Sequence, residues 1–413
     1  MSAATQDPTA AAPRSPEGGN GLGDYARRWW TDVRGGELGS LPIILGLIII
    51  AIVFQTANSN FLTAGNFVNL IVQSAAYALV AMGIVFVLLL GEIDLSVGYV
   101  SGVAGVLVAL LLTPDGSVPP AFVAVILALG AGAAIGVFQG TLVTKLGIPS
   151  FVVTLAGLLG WNGVVLLLIG SRGTVILQND FVIGLANNFM SDALSWVLVL
   201  AVTALYAAVL FARMRSRAKA GLPNEPLVLV GLRVGLLLVI LAIVTAVANQ
   251  DRGIPWVGVI VAAFLVFWTF VLNRTRFGRH IYAVGGNQEA ARRAGIDVDR
   301  IKIACFALCS FMAAVGGIIL ASRLRSVDTN SGGGQILLYS IAAAVIGGTS
   351  LFGGRGHMKS AILGALVIGS IDNGLGLLGL SAGTKFVVTG AVLLLAVAVD
   401  SISRKGRASS GRA

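Results

Sequence analysis

Val68–Gly91 reads VNLIVQSAAYALVAMGIVFVLLLG, 24 residues without a charge. A helix of that length is about 36 Å long, enough to cross the roughly 30 Å hydrocarbon layer of a bilayer. Its apolar residues run on continuously. A membrane β-barrel would instead alternate in segments of about ten residues, so a barrel is excluded. The same reading repeats at 41–57, 96–112, 120–144, 150–170, 193–212, 228–248, 255–272, 301–321, 336–350, 358–379 and 384–400. The segments at 41–57, 96–112 and 336–350 are short, and short Gly-interrupted segments suit half-helices or re-entrant pieces. The expectation is an all-α polytopic membrane protein with about 10–12 transmembrane helices, some of them broken or re-entrant.

Composition agrees. The 413 residues are 56% hydrophobic and 11% charged, where soluble domains carry about 25% charge. That excludes an ordinary cytosolic enzyme and also excludes disorder over most of the chain. The 54 glycines suit close helix packing in lipid. The two cysteines, Cys305 and Cys309, lie four apart in an apolar run and read as thiols on one helix face, with no disulfide or metal role.

The formal net charge of +10 is explained by topology and implies no nucleic acid. With the N-terminus in the cytoplasm and alternating spans, 23 of the 28 Lys and Arg fall inside; only Arg172, Arg252, Arg323, Arg325 and Lys385 fall outside. Cytoplasmic loops carry such an excess, so both termini are expected inside a bacterial cytoplasmic membrane. Residues 1–40 read as a polar cytoplasmic tail. Arg27, Arg28, Trp29, Trp30 and Arg34 within Asp24–Glu37 suit either a helix lying at the membrane surface or an ordinary flank. Residues 41–402 form the transmembrane domain and 403–413 a basic cytoplasmic tail. No apolar run precedes residue 41, so a cleaved signal peptide is not expected.

Several chemistries are excluded by residue type. None of the six lysines follows a glycine, so there is no Gly-Lys phosphate cradle and no nucleotide site of the P-loop kind. Gly21-Leu22-Gly23 lies in the tail with no strand before it. Gly379-Leu380-Ser381-Ala382-Gly383 matches a hydrolase elbow, but the only histidines, His280 and His357, both precede it. Two histidines without an H-x-x-x-H pair leave no zinc hydrolase site. No catalytic residue, metal or cofactor is expected.

The polar residues inside or between spans are the candidates that remain. An ionisable group in a span is a functional hypothesis by default. Asp94 or Ser96 can cap the following helix, or Asp94 can act in ligand passage or gating. Asp372 and Asn373 sit mid-segment. Gln73, Thr154, Asn162 and Asn373 interrupt apolar spans and serve either as packing glue or as a path for a neutral polar solute. The expectation is that at least two of these four face a central cavity, while Asp372 turns the other way and is tied to a neighbouring helix.

The longest polar stretch between spans is 273–300. Within it Asn287 can cap a short helix over 288–294 and Gly295 can end it. Glu289 then falls in the first turn, and Arg292 and Arg293 in the last, as the helix dipole favours. Such a helix is either a docking element or a solvated connector.

This segment, with Asn287, Glu289, Ala290, Ala291, Arg292 and Gly295, resembles the cytoplasmic coupling segment of ABC-importer permeases. Three further stretches are similar to one branch of that group: Gly91–Gly98 (with Glu92 where the branch has glycine), Gly147–Leu155 and Gly347–Gly354. The branch is the ribose/xylose/arabinose/galactose permease family, matched from about 60 to 400. The excess length in the tail and in roughly 190–250 resembles its xylose-type members. The resemblance implies a permease subunit without its own ATPase, translocating a monosaccharide. It implies a tandem ATP-binding-cassette ATPase subunit, an extracytoplasmic sugar-binding protein and a second permease copy as partners, within membrane lipid. The coupling role falls on the six residues just named. The rival reading is an ion-coupled secondary transporter, which needs a buried carboxylate relay; Glu92, Asp94 and Asp372 are few and scattered for that.

Overall fold

The computed structural model describes residues 41–114 and 118–409. The N-terminal tail with its surface-helix reading, and the last residues of the basic C-terminal tail, lie outside the described residues. The helices are α1 (Leu41–Ala57), α2 (Ala64–Leu89), α3 (Val97–Leu111), α4 (Ala121–Lys145), α5 (Ser150–Ile169), α6 (Asp180–Asn187), α7 (Asp192–Lys219) and α8 (Leu227–Ala248). They continue as α9 (Trp256–Arg274), α10 (Arg276–Gly286), α11 (Gln288–Arg293), α12 (Val298–Leu324), α13 (Gly334–Ile346), α14 (Met358–Leu377) and α15 (Ala382–Ser409). Eight are long and apolar enough to cross a membrane; α1, α3, α13 and the apolar part of α15 are shorter. The twelve apolar segments thus become twelve apolar helices. The chain is an all-α polytopic membrane protein.

Two features were not legible in the loops. Residues 171–192 contain α6 and a strand, β1 (Thr174–Ile176), which pairs antiparallel with β2 (Ser326–Asp328). Val175 and Val327 face each other in that register and are buried. Three-residue strands show too little alternation to be seen from sequence.

By its contacts the chain divides into two units, one holding 196–244 and the other the remaining described residues. The first consists of most of α7 and α8. Their connection is held by Arg217, which donates to the Pro223 carbonyl, and by a Glu225–Arg233 ion pair at 2.8 Å.

The second unit is built round α12. This helix of 27 residues, about 40 Å long, packs on α4, α2 and α3, while α14 packs on α13 and α2. Gly132, Gly136 and Gly140 recur every fourth residue on α4 and bring its backbone against Ala314, Phe306 and Ile303 of α12. A Cβ at Gly136 would overlap the Phe306 carbonyl, so only glycine permits this approach. Cys305 and Cys309 are free and fully buried on the same helix.

Candidate functional site: a motif junction and a cavity

At the N-terminal end of α12 the four sequence motifs meet. The centre is the turn after α2. Gly91 takes φ +76°, and its N–H and that of Glu92 donate to the Leu88 and Val87 carbonyls, which ends the helix. The second motif reaches this turn through Ser150, whose Oγ accepts from Ile93 N at 3.5 Å, and Thr154, whose Oγ1 donates to Ile93 O at 3.2 Å. The third reaches it through Gly354, whose N–H donates to Leu89 O at 2.8 Å. The stretch before the 288–293 helix completes it: Gly285 abuts Leu89 O and Gly354 N, leaving no space for a side chain. Tyr282 donates to the Gly356 carbonyl at 2.8 Å.

An ion pair closes the junction. Lys302 of α12 lies 2.6 Å from Glu92, and their side chains are only 11% and 17% exposed. A recess of about 310 Å³ beside it is bordered by Glu92, Ser150, Gln288, Arg292, Asp299 and Lys302.

The polar segment 273–300 folds as its residues predict. Thr275 caps α10 by accepting from Gly278 N, and Asn287 caps α11 by accepting from Ala290 N at 2.9 Å. Gly295 at φ +82° ends α11: its N–H donates to Arg292 O and that of Ile296 to Ala291 O. Ala291 is the buried contact of α11; Glu289, Ala290, Arg292 and Arg293 are exposed. Glu289 pairs with Arg293, and Arg292 lies 3.9 Å from Asp299, which also pairs with Lys145 at 2.9 Å. Nearby, His357 precedes α14, and partial burial and then Lys359 hold its imidazole below the ordinary histidine range.

The other end of α12 opens into a cavity of about 580 Å³. Tyr77 of α2, Ser101 of α3, Arg323 of α12, Asp328 of β2, Asp372 of α14 and Phe386 of α15 line it. Asp372 sits 3.6 Å from Lys385 and accepts from Tyr339 Oη at 3.4 Å. Asp328 Oδ1 accepts from Asn330 N at 2.9 Å and from Ser331 Oγ at 3.2 Å.

The polar candidates divide unevenly between these places. Asp94 is buried, and its Oδ1 accepts from both Ser96 N and Ser96 Oγ, at 2.9 and 2.7 Å. Ser96 occupies the capping position of α3 without making a capping bond. Thr154 belongs to the junction. Asn162 is half-buried on α5 and borders neither space. Asn373 and Asn66 exchange amide hydrogen bonds at 2.8 and 2.9 Å, and Asn373 also donates to Gln73 at 3.3 Å. Asp372 and Asn373 therefore meet different helices. It is Asp372, however, that borders the cavity while tied to Tyr339 and Lys385, and Asn373 that locks α14 to α2. Of Gln73, Thr154, Asn162 and Asn373, none lines the larger cavity.

Lys302, Arg323, Asp328 and Tyr77 were not singled out from the sequence. Lys302 was visible as a cation just inside a span, Glu92 as the departure from the motif, and Arg323 as one of few cations on its side.

Comparison with known proteins adds an independent line. A family described as branched-chain amino acid transport system / permease component matches residues 66–397. The xylose transport system permease protein of Escherichia coli is 36% identical over 367 residues, 88% of this chain and 92% of that protein. Its counterpart in Haemophilus influenzae is 35% identical over 89% of this chain and 98% of its own length. The ribose import permease protein of Escherichia coli is 35% identical over 87% of this chain and 92% of its own. No solved structure matches. A match that takes in all four motifs, the junction they build and both ends of α12 makes the chain a member of the family of branched-chain amino acid transport system permease components.

Proposed function

We propose that this chain is the membrane-spanning subunit of an ATP-binding-cassette importer that carries a monosaccharide, xylose or ribose in class, across a bacterial cytoplasmic membrane. The observation that carries this is the identity with xylose and ribose permeases along nearly the whole chain. The family description names branched-chain amino acids. The sugar reading is preferred because the relatives from both sugar systems cover about nine-tenths of the sequence.

In this reading the junction end of α12 faces the cytoplasm, as the positive-inside rule requires. A separate tandem ATPase docks on α11, with Asn287, Glu289, Ala290, Ala291, Arg292 and Gly295 forming the contact. Their support is the capped six-residue helix, which presents charged side chains outward and anchors through Ala291. Motion imposed on α11 would reach the turn at 90–96 through Gly285 and the Glu92–Lys302 pair. An extracytoplasmic binding protein delivers the sugar at the opposite end, and a second copy of the chain completes the pore.

The test is uptake in proteoliposomes with the ATPase and binding-protein subunits. Uptake of a pentose should require ATP and survive a protonophore; collapse with the proton gradient would favour an ion-coupled transporter. Glu289→Lys and Gly295→Trp should lower uptake and stimulated ATP hydrolysis together while the protein stays in the membrane. Wild-type uptake in both variants would reject the docking assignment.

A further inference from the structure

The cavity at the C-terminal end of α12 carries more than an opening. Its volume of about 580 Å³ is that of a small-molecule site. Its walls come from α2, α3, α12, α13 (with Gln335), α14, α15 and the β2 loop, so the groups that face it were assembled by the fold. Asp372 is paired with Lys385 and accepts from Tyr339, and Arg323 and Asp328 add one charge of each sign, so the lining together with Lys385 carries no net charge. A site for an ion would carry a net opposite charge, because a desolvated ion must be paired. Here the groups left over are hydrogen-bonding capacity. Asp372 and Asp328 each have an oxygen with remaining acceptor sites, while Arg323 and Gln335 have donors to spare. A sugar hydroxyl both donates and accepts, so a mixed rim of acceptors and donors satisfies it. Phe386 adds a half-open ring, 42% exposed, against which the C–H face of a pyranose can lie.

Resting on the uptake reading above, we infer that this cavity is a weak holding site for an uncharged monosaccharide: Asp372 and Asp328 accept from its hydroxyls, Arg323 donates to them and Phe386 supports the ring. Weakness is part of the design, since a solute in transit must leave as readily as it enters.

The experiment uses the full chain in phospholipid nanodiscs, without partner subunits. D-xylose, D-ribose and L-leucine are the probes, read by saturation-transfer NMR and competition titration. A sugar should show transfer concentrated on its ring protons, and L-leucine should neither bind nor displace it. Asp372→Asn and Arg323→Gln should each weaken sugar binding about ten-fold, the loss of one charge-assisted hydrogen bond. Phe386→Ala, at an exposed position, should reduce ring-proton transfer in a protein of unchanged thermal midpoint. No sugar binding, binding indifferent to all three variants, or displacement by leucine would each overturn the inference. Uptake by the assembled transporter is measured alongside. Sugar uptake with no sugar bound in the cavity overturns the holding site alone. Absence of any sugar uptake overturns the transport reading beneath it.

Discussion

The two ends of α12 differ in kind. At its N-terminal end the backbones of the turn at 90–96, α10 and the 347–356 loop touch directly, with Gly285 pressed on Leu89 and Gly354, and a nearly buried ion pair closes the gap. At its C-terminal end the walls stand apart round a cavity whose polar groups are part-exposed. Both ends have close backbone contacts, at Gly285 in one and at Gly102 and Gly317 in the other, but the second also encloses a large space edged by polar side chains. The Gly285 contact leaves no space, so a displacement on one side of it is passed to the other. The cavity has space, so it can admit something.

The contrast is broken most directly by glycine substitution. Gly285→Leu should cost more than the roughly 1–3 kcal/mol usual for overpacking, because backbone atoms, not rotatable side chains, stand in the way. Gly334, at the start of α13 on the cavity side, has open space around its Cβ position. Gly334→Ala should change stability by less than about 1 kcal/mol, in the stabilising direction if at all. Thermal unfolding in detergent would compare the two; equal losses would erase the distinction between a packed and an open end.

A smaller effect is expected at the ion pair. Lys302→Ala leaves Glu92 largely buried and unpaired, which costs about 3 kcal/mol. Glu92→Gln with Lys302→Met replaces the pair by neutral groups and should recover much of that loss. A double variant no better than Lys302→Ala would mean that the two side chains do not act on each other.

The smallest effect is a pH dependence confined to the junction side. His357 has its pKa lowered in the folded protein, by burial first and Lys359 second. The unfolded chain therefore takes up a proton near pH 6.5, before the folded one does. Stability should be level above that value, fall as the pH drops from it toward the folded pKa, and level off below. His357→Gln should flatten this part of the profile; an unchanged slope would assign it to other groups.

The residues themselves determined much of this. Charge-free runs longer than a bilayer is thick must become helices in lipid, since backbone groups there have no other partner. The eight long segments therefore became helices; the short ones at 41–57, 96–112 and 336–350 became helices too and were recognisable by length alone. The caps of α11 were equally legible, because Asn287 and Gly295 act on backbone groups three or four residues away. What lay beyond that range was decided by tertiary structure. The sequence separates Glu92 from Lys302 and Asn66 from Asn373 by 210 and 307 residues, and no local periodicity links such positions. Asp372 and Asn373 are adjacent polar residues on one helix, and only the neighbours that α14 meets on each side make one a cavity wall and the other a clamp. The long-range partners of a buried polar group are set by which helices pack together, and in this chain that packing is governed by glycines whose contacts lie far away in the sequence.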